Sequence, residues 1–580
     1  MKKWWKYIRP YKLYFILGPL CMLVEVVGEV LMPKFLAQII NNSTGVGASV
    51  GVDIGIMFAM ILTAVLMMAG GVGGAYFGAK ASVNFAADLR KDVYAKVQSY
   101  SFSNIDKYSA GSLVTRLTND VTQMQNTVNM LLRMALRSPG MLIGALIMAI
   151  LLRPSLAVVL SVTIPLMVLA IIFLIVKSFP LFTLKQKKID KLNSTVQENI
   201  TNIRVVKSFV REDHEKQKFA KANRELKEAG MRSMKLMILM SPVMTLFMNF
   251  TTLAVLWFGS EMVYASGMPY GDLSAFITYV SQILTSLMMV TMLFMMLSRA
   301  MASSRRIREV LEENVDLSDE NARYKELTVK EGGIEFRDVS FRYYKNSEDP
   351  VLDHINLKIK PHSTVGIIGS TGCGKTTLVS LIARLYDADE GQILIDGVDV
   401  RDYSLYNLRE GVGMVLQKNV LFSGSIEDNL RWGNENASME EIEAACESAQ
   451  ANKFIKSFSG EYSYDLGQGG KNVSGGQKQR LCIARALLKK PKILVLDDST
   501  SAVDTATEAQ IRRAFREELA DSTKIIIAQR ITSVMDADEI VIMNDGRITG
   551  VGTHSELLAS NTEYREIYYS QMESSGREGA

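Results

Sequence analysis

At 580 residues the chain has room for several domains. Apolar residues make up 48% of it and the mean hydropathy is slightly positive, which argues against a wholly water-soluble protein. A net charge of +4 is too small to point to nucleic acid, and the four scattered cysteines (Cys21, Cys373, Cys446, Cys482) offer neither a disulfide framework nor metal-ligand spacing, as expected for a reducing cytosol.

Residues 1–12 combine Trp4, Trp5, Tyr7 and Tyr11 with several Lys and Arg, the composition of an interfacial helix lying along lipid headgroups. No small-residue cleavage site follows at the expected distance, so the segment reads as retained. Six apolar stretches long enough to span a bilayer come next, near 14–38, 54–79, 134–152, 156–178, 235–265 and 272–298. The connections 41–53 and 259–272 contain no Lys or Arg, and that between the third and fourth spans has only Arg153. In contrast, Lys80, Arg90, Lys91, Lys96, Lys107, Arg116, Arg133 and Arg137 crowd the second-to-third connection, 184–232 is more basic still, and Arg299, Arg305, Arg306 and Arg308 follow the sixth span. This asymmetry predicts that both termini and both long loops are cytoplasmic. Those loops are rich in helix formers, so the spanning helices are expected to continue past the membrane, turning near 103–112 and 208–216.

Glu25 and Glu29 stand one helical turn apart in the first span. Carboxylates there are costly and face a polar cavity or a partner: either they form a substrate-cavity site for cationic groups, or they pair with another helix. The methionine-rich run 287–297, with Met237, Met240, Met244 and Met248 before it, serves as an adaptable binding surface or as packing and lipid contact.

A polar linker follows, and near Gly333 short apolar strands begin to alternate with helices, the pattern of an α/β nucleotide domain. The stretch Gly369-Ser370-Thr371-Gly372-Cys373-Gly374-Lys375-Thr376-Thr377 fits G-x-x-x-x-G-K-[ST] between an apolar strand (365–368) and a helix (377–386). Its glycines let backbone N–H groups close around a polyphosphate, Lys375 reaches the outer phosphates and the Thr376 hydroxyl reaches Mg2+. Ile493-Leu494-Val495-Leu496-Asp497-Asp498 is a strand ending in two acids: Asp497 for Mg2+, and Asp498 where a general base for water would sit. Between them, Val473-Ser474-Gly475-Gly476-Gln477 has the glycines and hydroxyl to cap a phosphate at a helix N-terminus. The bound ligands are expected to be ATP and Mg2+.

Taken together, these motifs give the chain a strong resemblance, over nearly its whole length, to a half-transporter of the ABC exporter family (type IV, multidrug-resistance-like). The signature sequence of the family matches Val473–Gln477, its adenine-stacking aromatic Tyr343, its metal- and water-sensing glutamine Gln417, and its D-loop 501–504, with Asp504. The exporter-specific loop matches 465–470, with Gln468 where Glu is usual, and Glu198 and 205–209 resemble the second intracellular loop. The resemblance implies a fused α-helical membrane domain and α/β phosphate-loop domain, divided here as 1–318, a linker 319–332 and 333–580. It also implies a dimer sandwiching two ATP molecules, each between one phosphate loop and the other subunit's signature, with Thr376, Gln417 and Asp497 as the Mg2+ set.

Two departures stand out. The catalytic Glu of the family is Asp498, and its switch His is Gln529; no His occurs between His362 and His554. Asp is one methylene short and Gln cannot become a cation or pass a proton, so this site is expected to bind ATP and hydrolyse it poorly. The intact signature is then expected to serve a competent site on a second, non-identical half-transporter, as in bacterial multidrug exporters of the cytoplasmic membrane. The leading expectation is thus ATP-driven export of amphipathic compounds. A lipid flippase or peptide exporter shares every motif, although no peptidase-like segment precedes residues 1–12; a non-hydrolytic regulatory subunit or ATP-gated pore is the alternative of another class.

Overall fold

The computed structural model describes residues 4–44, 50–265, 267–345, 347–498 and 505–577. The chain divides into two compact units: residues 1–97 with 111–312, and residues 98–110 with 313–580. The second division falls after Glu312 rather than after residue 318, and the tip of the first long loop belongs to the second unit.

The first unit is all helix: α1 (Trp5–Ile8), α2 (Lys12–Thr44), α3 (Val50–Gln98, its last residue in the second unit), α5 (Ala110–Thr115, its first residue in the second unit), α6 (Val121–Met134), α7 (Arg137–Leu152), α8 (Pro154–Thr201), α9 (Ile203–Ser208), α10 (Glu212–Tyr264) and α11 (Tyr270–Glu312), with α4 (Phe102–Lys107) in the tip assigned to the second unit. Six segments among the described residues are long and apolar enough to cross a membrane, each overlapping an expected span. At ~1.5 Å per residue, helices of 48 and 53 residues (α8, α10) run to about 70–80 Å, against a hydrocarbon core of about 30 Å. Their polar halves are held side by side by Lys188–Glu225 at 2.8 Å and Lys218–Glu198 at 2.8 Å. Within the expected N-terminal helix 1–12, residues Trp5–Ile8 form α1. Pro10 sits in a 3-10 segment, Arg9–Tyr11, that runs straight into α2, and the turn is tied to α3 by Tyr7 Oη to Asp92 at 3.0 Å and Tyr11 Oη to Asp88 at 3.0 Å.

The second unit has a four-stranded antiparallel sheet, β2-β1-β4-β5, and a six-stranded sheet, β10-β9-β3-β8-β7-β6. Their strands are β1 (Ile334–Phe341), β2 (Leu352–Ile359), β3 (Thr364–Gly369), β4 (Glu390–Ile395), β5 (Val398–Asp399), β6 (Val412–Val415), β7 (Ile493–Asp497), β8 (Thr523–Ile527), β9 (Glu539–Asn544) and β10 (Arg547–Gly552). In the larger sheet β9, β3, β8, β7 and β6 are parallel, and β10 is antiparallel at the edge. Val365, Ile367, Val495 and Ile525 pack with Phe336, Val339 and Ile355 of the smaller sheet and with Leu378, Val379 and Ile382 of α12 (Lys375–Ile382). The other face buries Leu494 and Leu496 against Leu481 and Ile483 of the helix Gly475–Lys489. Burial on both faces explains why these strands read as unbroken apolar runs.

The loop tip 98–110 is anchored within this unit. Ser101 caps α4, Asn104 Nδ2 donates to the Asn314 carbonyl at 2.9 Å, and Lys107 and Tyr108 both reach the Glu313 carboxylate at 2.7 Å.

Candidate nucleotide site

Parallel topology brings the functional residues together. β3 leads into the phosphate loop at Gly369, β6 ends two residues before Gln417, β7 ends at Asp497, and β8 ends two residues before Gln529. All four therefore lie at the carboxyl ends of neighbouring strands, where open parallel sheets bind ligands. Gly374, at φ 99, forms the left-handed N-cap of α12, and a Cβ there would come within 2.9 Å of the Val351 carbonyl. Only glycine closes the cradle this way.

Lys375 Nζ donates to the carbonyls of Gly369 at 2.8 Å and Ser370 at 2.7 Å and lies 3.7 Å from Cys373 Sγ. Thr376 Oγ1 donates to Asp497 Oδ2 at 2.9 Å. Thr377 Oγ1 and Tyr343 Oη share a hydrogen bond of 3.0 Å, so the aromatic stands at the first turn of α12. Burial pushes the Asp497 carboxyl up; the Thr376 hydrogen bond opposes this and the Asp498 charge adds to it.

Asp498 accepts from Gln529 Nε2 at 2.9 Å and from Gln417. Burial pushes its carboxyl up, against those bonds and the Lys375 charge. Its backbone is left-handed, at φ 47, a conformation that Asp tolerates better than longer side chains. Thr376 Oγ1 and Asp497 Oδ2 are brought together as oxygens of the kind a small hard cation takes, whereas Gln417, expected beside them, bonds Asp498. Mg2+ bound there would neutralise phosphate charge.

Ser474 is exposed and N-caps the 15-residue helix Gly475–Lys489 in a capping box: Ser474 Oγ accepts from Gln477 N at 3.3 Å and Gln477 Oε1 accepts from Ser474 N at 2.8 Å. Val473 is buried with Leu481, Leu494 and Leu496 on the face of the sheet away from α12, and a Cβ on Gly475 would meet nothing within 4 Å. Asp504 lies outside the described residues.

Glu25 and Glu29 meet a partner that sequence reasoning counted only as a loop charge. Arg137 Nη2 lies 3.0 Å from Glu25 and 2.7 Å from Glu29. Gln282 of α11 donates to the Glu29 carbonyl at 2.9 Å. Two acids thus share one base, with Glu29 Oε2 and Gln282 Oε1 buried and unbonded among the described residues. The signal available in the sequence was that Arg137 opens an apolar span.

Comparison with known proteins agrees with this geometry. Residues 15–287 match the model of the ABC transporter transmembrane region, and residues 352–501 match that of the ABC transporter domain. The chain is 40% identical to an uncharacterized ABC transporter ATP-binding protein of Bacillus subtilis, YfiB, over 100% of both chains. It is 34% identical to a fatty acid ABC transporter ATP-binding/permease protein of Mycobacterium bovis, over 83% of this chain and 75% of that one. A solved bacterial Atm1-family ABC exporter with ATP bound superimposes with a TM-score of 0.77 at 25% identity, over 97% and 98% of the two chains. The chain therefore belongs to the ABC transporter family, as a multi-pass membrane half-transporter with an exporter fold and an ATPase domain.

Proposed function

We propose that this chain is the slow-site subunit of a heterodimeric bacterial exporter of amphipathic compounds. The observation that carries this reading is the Gln529–Asp498 hydrogen bond of 2.9 Å. The acid that would polarise water is held by neutral amides, and an amide neither gains charge nor relays a proton. Its shortened reach compounds the loss. Tyr343 is the base-stacking aromatic, the cradle 369–377 holds the phosphates, and Ser474 with its glycines serves the ATP of a partner that supplies its own phosphate loop, Glu and His. ATP closure of the nucleotide domains would open the membrane path outward. The Lys and Arg bias supports a cytoplasmic-membrane location with both termini and the ATPase inside.

The two carboxyl groups of Glu25 and Glu29, sharing Arg137 alone among the described residues, support substrates carrying a cationic group. A fatty-acid or lipid exporter is the second reading, favoured by the name of the Mycobacterium bovis relative. Cationic amphiphiles and fatty acids, compared as stimulators of ATPase activity, separate the two. The heterodimer itself is tested by recovering the tagged chain at native level and weighing the complex. A second half-transporter in equal amount is expected; a self-dimer hydrolysing ATP at about 10 s⁻¹, an ordinary enzymatic rate, would overturn the reading.

A further inference from the structure

The loop tip 98–110 meets the nucleotide domain beside Tyr343. Tyr386 Oη donates to Asp106 of α4 at 2.7 Å, and the Phe102 ring of the same helix lies 6.1 Å from that of Tyr386. Tyr386 in turn stands edge-on to Tyr343, with centroids 5.2 Å apart and planes at 88°. Phe341 touches both rings, at 5.0 Å and 5.5 Å. Tyr343 then bonds Thr377 on α12. An unbroken series of contacts thus runs from Asp106 through Tyr386 and Tyr343 to the phosphate cradle.

The turn that carries Tyr386 is braced. Buried Arg384 donates to Asp387 at 2.8 Å and 3.1 Å and to the Ser318 carbonyl at 3.4 Å. Burial, then the Asp106 carboxylate, push the Tyr386 phenol up, so it remains a donor at physiological pH. Tyr343 is 41% exposed, which leaves part of its ring open to a base.

We propose that Tyr386 is a positioning residue for the nucleobase: Asp106 fixes its phenol, its ring edge fixes the plane of Tyr343, and adenine affinity at this cradle depends on the first cytoplasmic loop. This rests on the reading of Tyr343 as the base-stacking aromatic. A ring already held in its stacking orientation loses less rotamer freedom on binding than a free one, and edge-to-face contact is what holds it. The triphosphate contacts through Lys375 and Thr376 do not pass through Tyr386, so the effect is selective for the base.

The test is isothermal titration of the intact transporter in nanodiscs at 4 °C with MgATP and, separately, with Mg-tripolyphosphate, which has no base. Tyr386→Phe keeps the ring and removes the bond; Asp106→Ala removes its acceptor, and Asp106→Asn restores one. Tyr386→Phe and Asp106→Ala are each expected to weaken ATP binding by about three- to tenfold and to leave tripolyphosphate within about twofold. Their combination is expected to lose no more than either alone, and Asp106→Asn to recover most of the affinity. Tyr343→Ala serves as the reference. If it weakens ATP selectively while Tyr386→Phe and Asp106→Ala do not, or if those two weaken both ligands alike, the positioning role is overturned. If Tyr343→Ala leaves ATP binding unchanged, the base-stacking reading itself falls and the proposal with it.

Discussion

Replacing Asp498 by Glu and Gln529 by His together is expected to accelerate hydrolysis at this chain's cradle. Glu carries its carboxylate about 1.5 Å farther from the backbone, and a catalytic group misplaced by about 1 Å loses around 10²-fold in rate. Against that gain stands the backbone. Asp498 is at φ 47, where Asp is tolerated and a longer side chain costs about 1 kcal/mol, or roughly fivefold. A net gain of about 20-fold is therefore expected for the pair. Because Gln529 Nε2 is bonded to Asp498 Oδ2 at 2.9 Å, the two changes are coupled. Asp498→Glu alone leaves the new carboxylate against an amide placed for a shorter one, and Gln529→His alone supplies an imidazole with a carboxylate out of reach of water. Each single change is expected to give less than the square root of the double. The assay is steady-state ATPase activity of the reconstituted complex, with the partner's phosphate-loop lysine replaced so that only this cradle turns over. An unchanged rate in the double variant would refute the assignment of the defect to Asp498 and Gln529 and would direct attention to Gln468.

Lys375→Ala removes the cation of the cradle and is expected to weaken nucleotide binding at this site by about 10–100-fold while substantial turnover continues at the other; complete loss of hydrolysis, measured on the same complex, contradicts the asymmetry. Ser474→Asn keeps a good helix cap but not the hydroxyl, so a fall in turnover of about 10²-fold without a change in melting temperature is expected, and retained activity would remove the signature from the competent site. Arg137→Met strands Glu25 and Glu29, whose side chains are only 16% and 20% exposed; a loss of about 3 kcal/mol is expected, read as a drop in thermal stability in detergent. Adding Glu25→Gln and Glu29→Gln is expected to restore that stability, and failure to do so would show that the node is not held by charge pairing.

Much of the fold was legible because its signals are local. The spans declare themselves by length, the loop tips by breaks in helix formers, and β3 and β7 by apolar runs that end in a glycine turn and in two acids. The Asp498 and Gln529 departures were equally plain, since they replace named positions in fixed motifs. What the sequence concealed lies across long separations. Arg137 meets Glu29 from 108 residues away, and Tyr386 meets Asp106 from 280 residues away. Neither pairing leaves a period or a motif, and a charge at the edge of an apolar span looks the same whether it faces headgroups or a carboxylate. At the N-terminus Pro10, which lacks an N–H, marks the 3-10 turn between α1 and α2. The division after Glu312 leaves no local motif either; beside it, Asn104, Lys107 and Tyr108 of the loop tip bond Asn314 and Glu313.

Those contacts bear on how force would pass along the chain. The polypeptide leaves the first unit after Val97, contributes residues 98–110 to the second, and returns at Gly111. Its tip is held at Asp106 by Tyr386 and at Lys107 and Tyr108 by Glu313, all within the second unit. On one side it continues into α3, 49 residues of unbroken helix, and on the other it reaches α6 and α7 through a π-helical stretch, Arg116–Asp120. A long helix transmits displacement along its axis with little loss, whereas a π-helical turn is a place where a helix yields. Asp120 is buried there and salt-bridged to Arg306 of α11, so the yielding point is itself clamped to the extension of the helix that carries the sixth span.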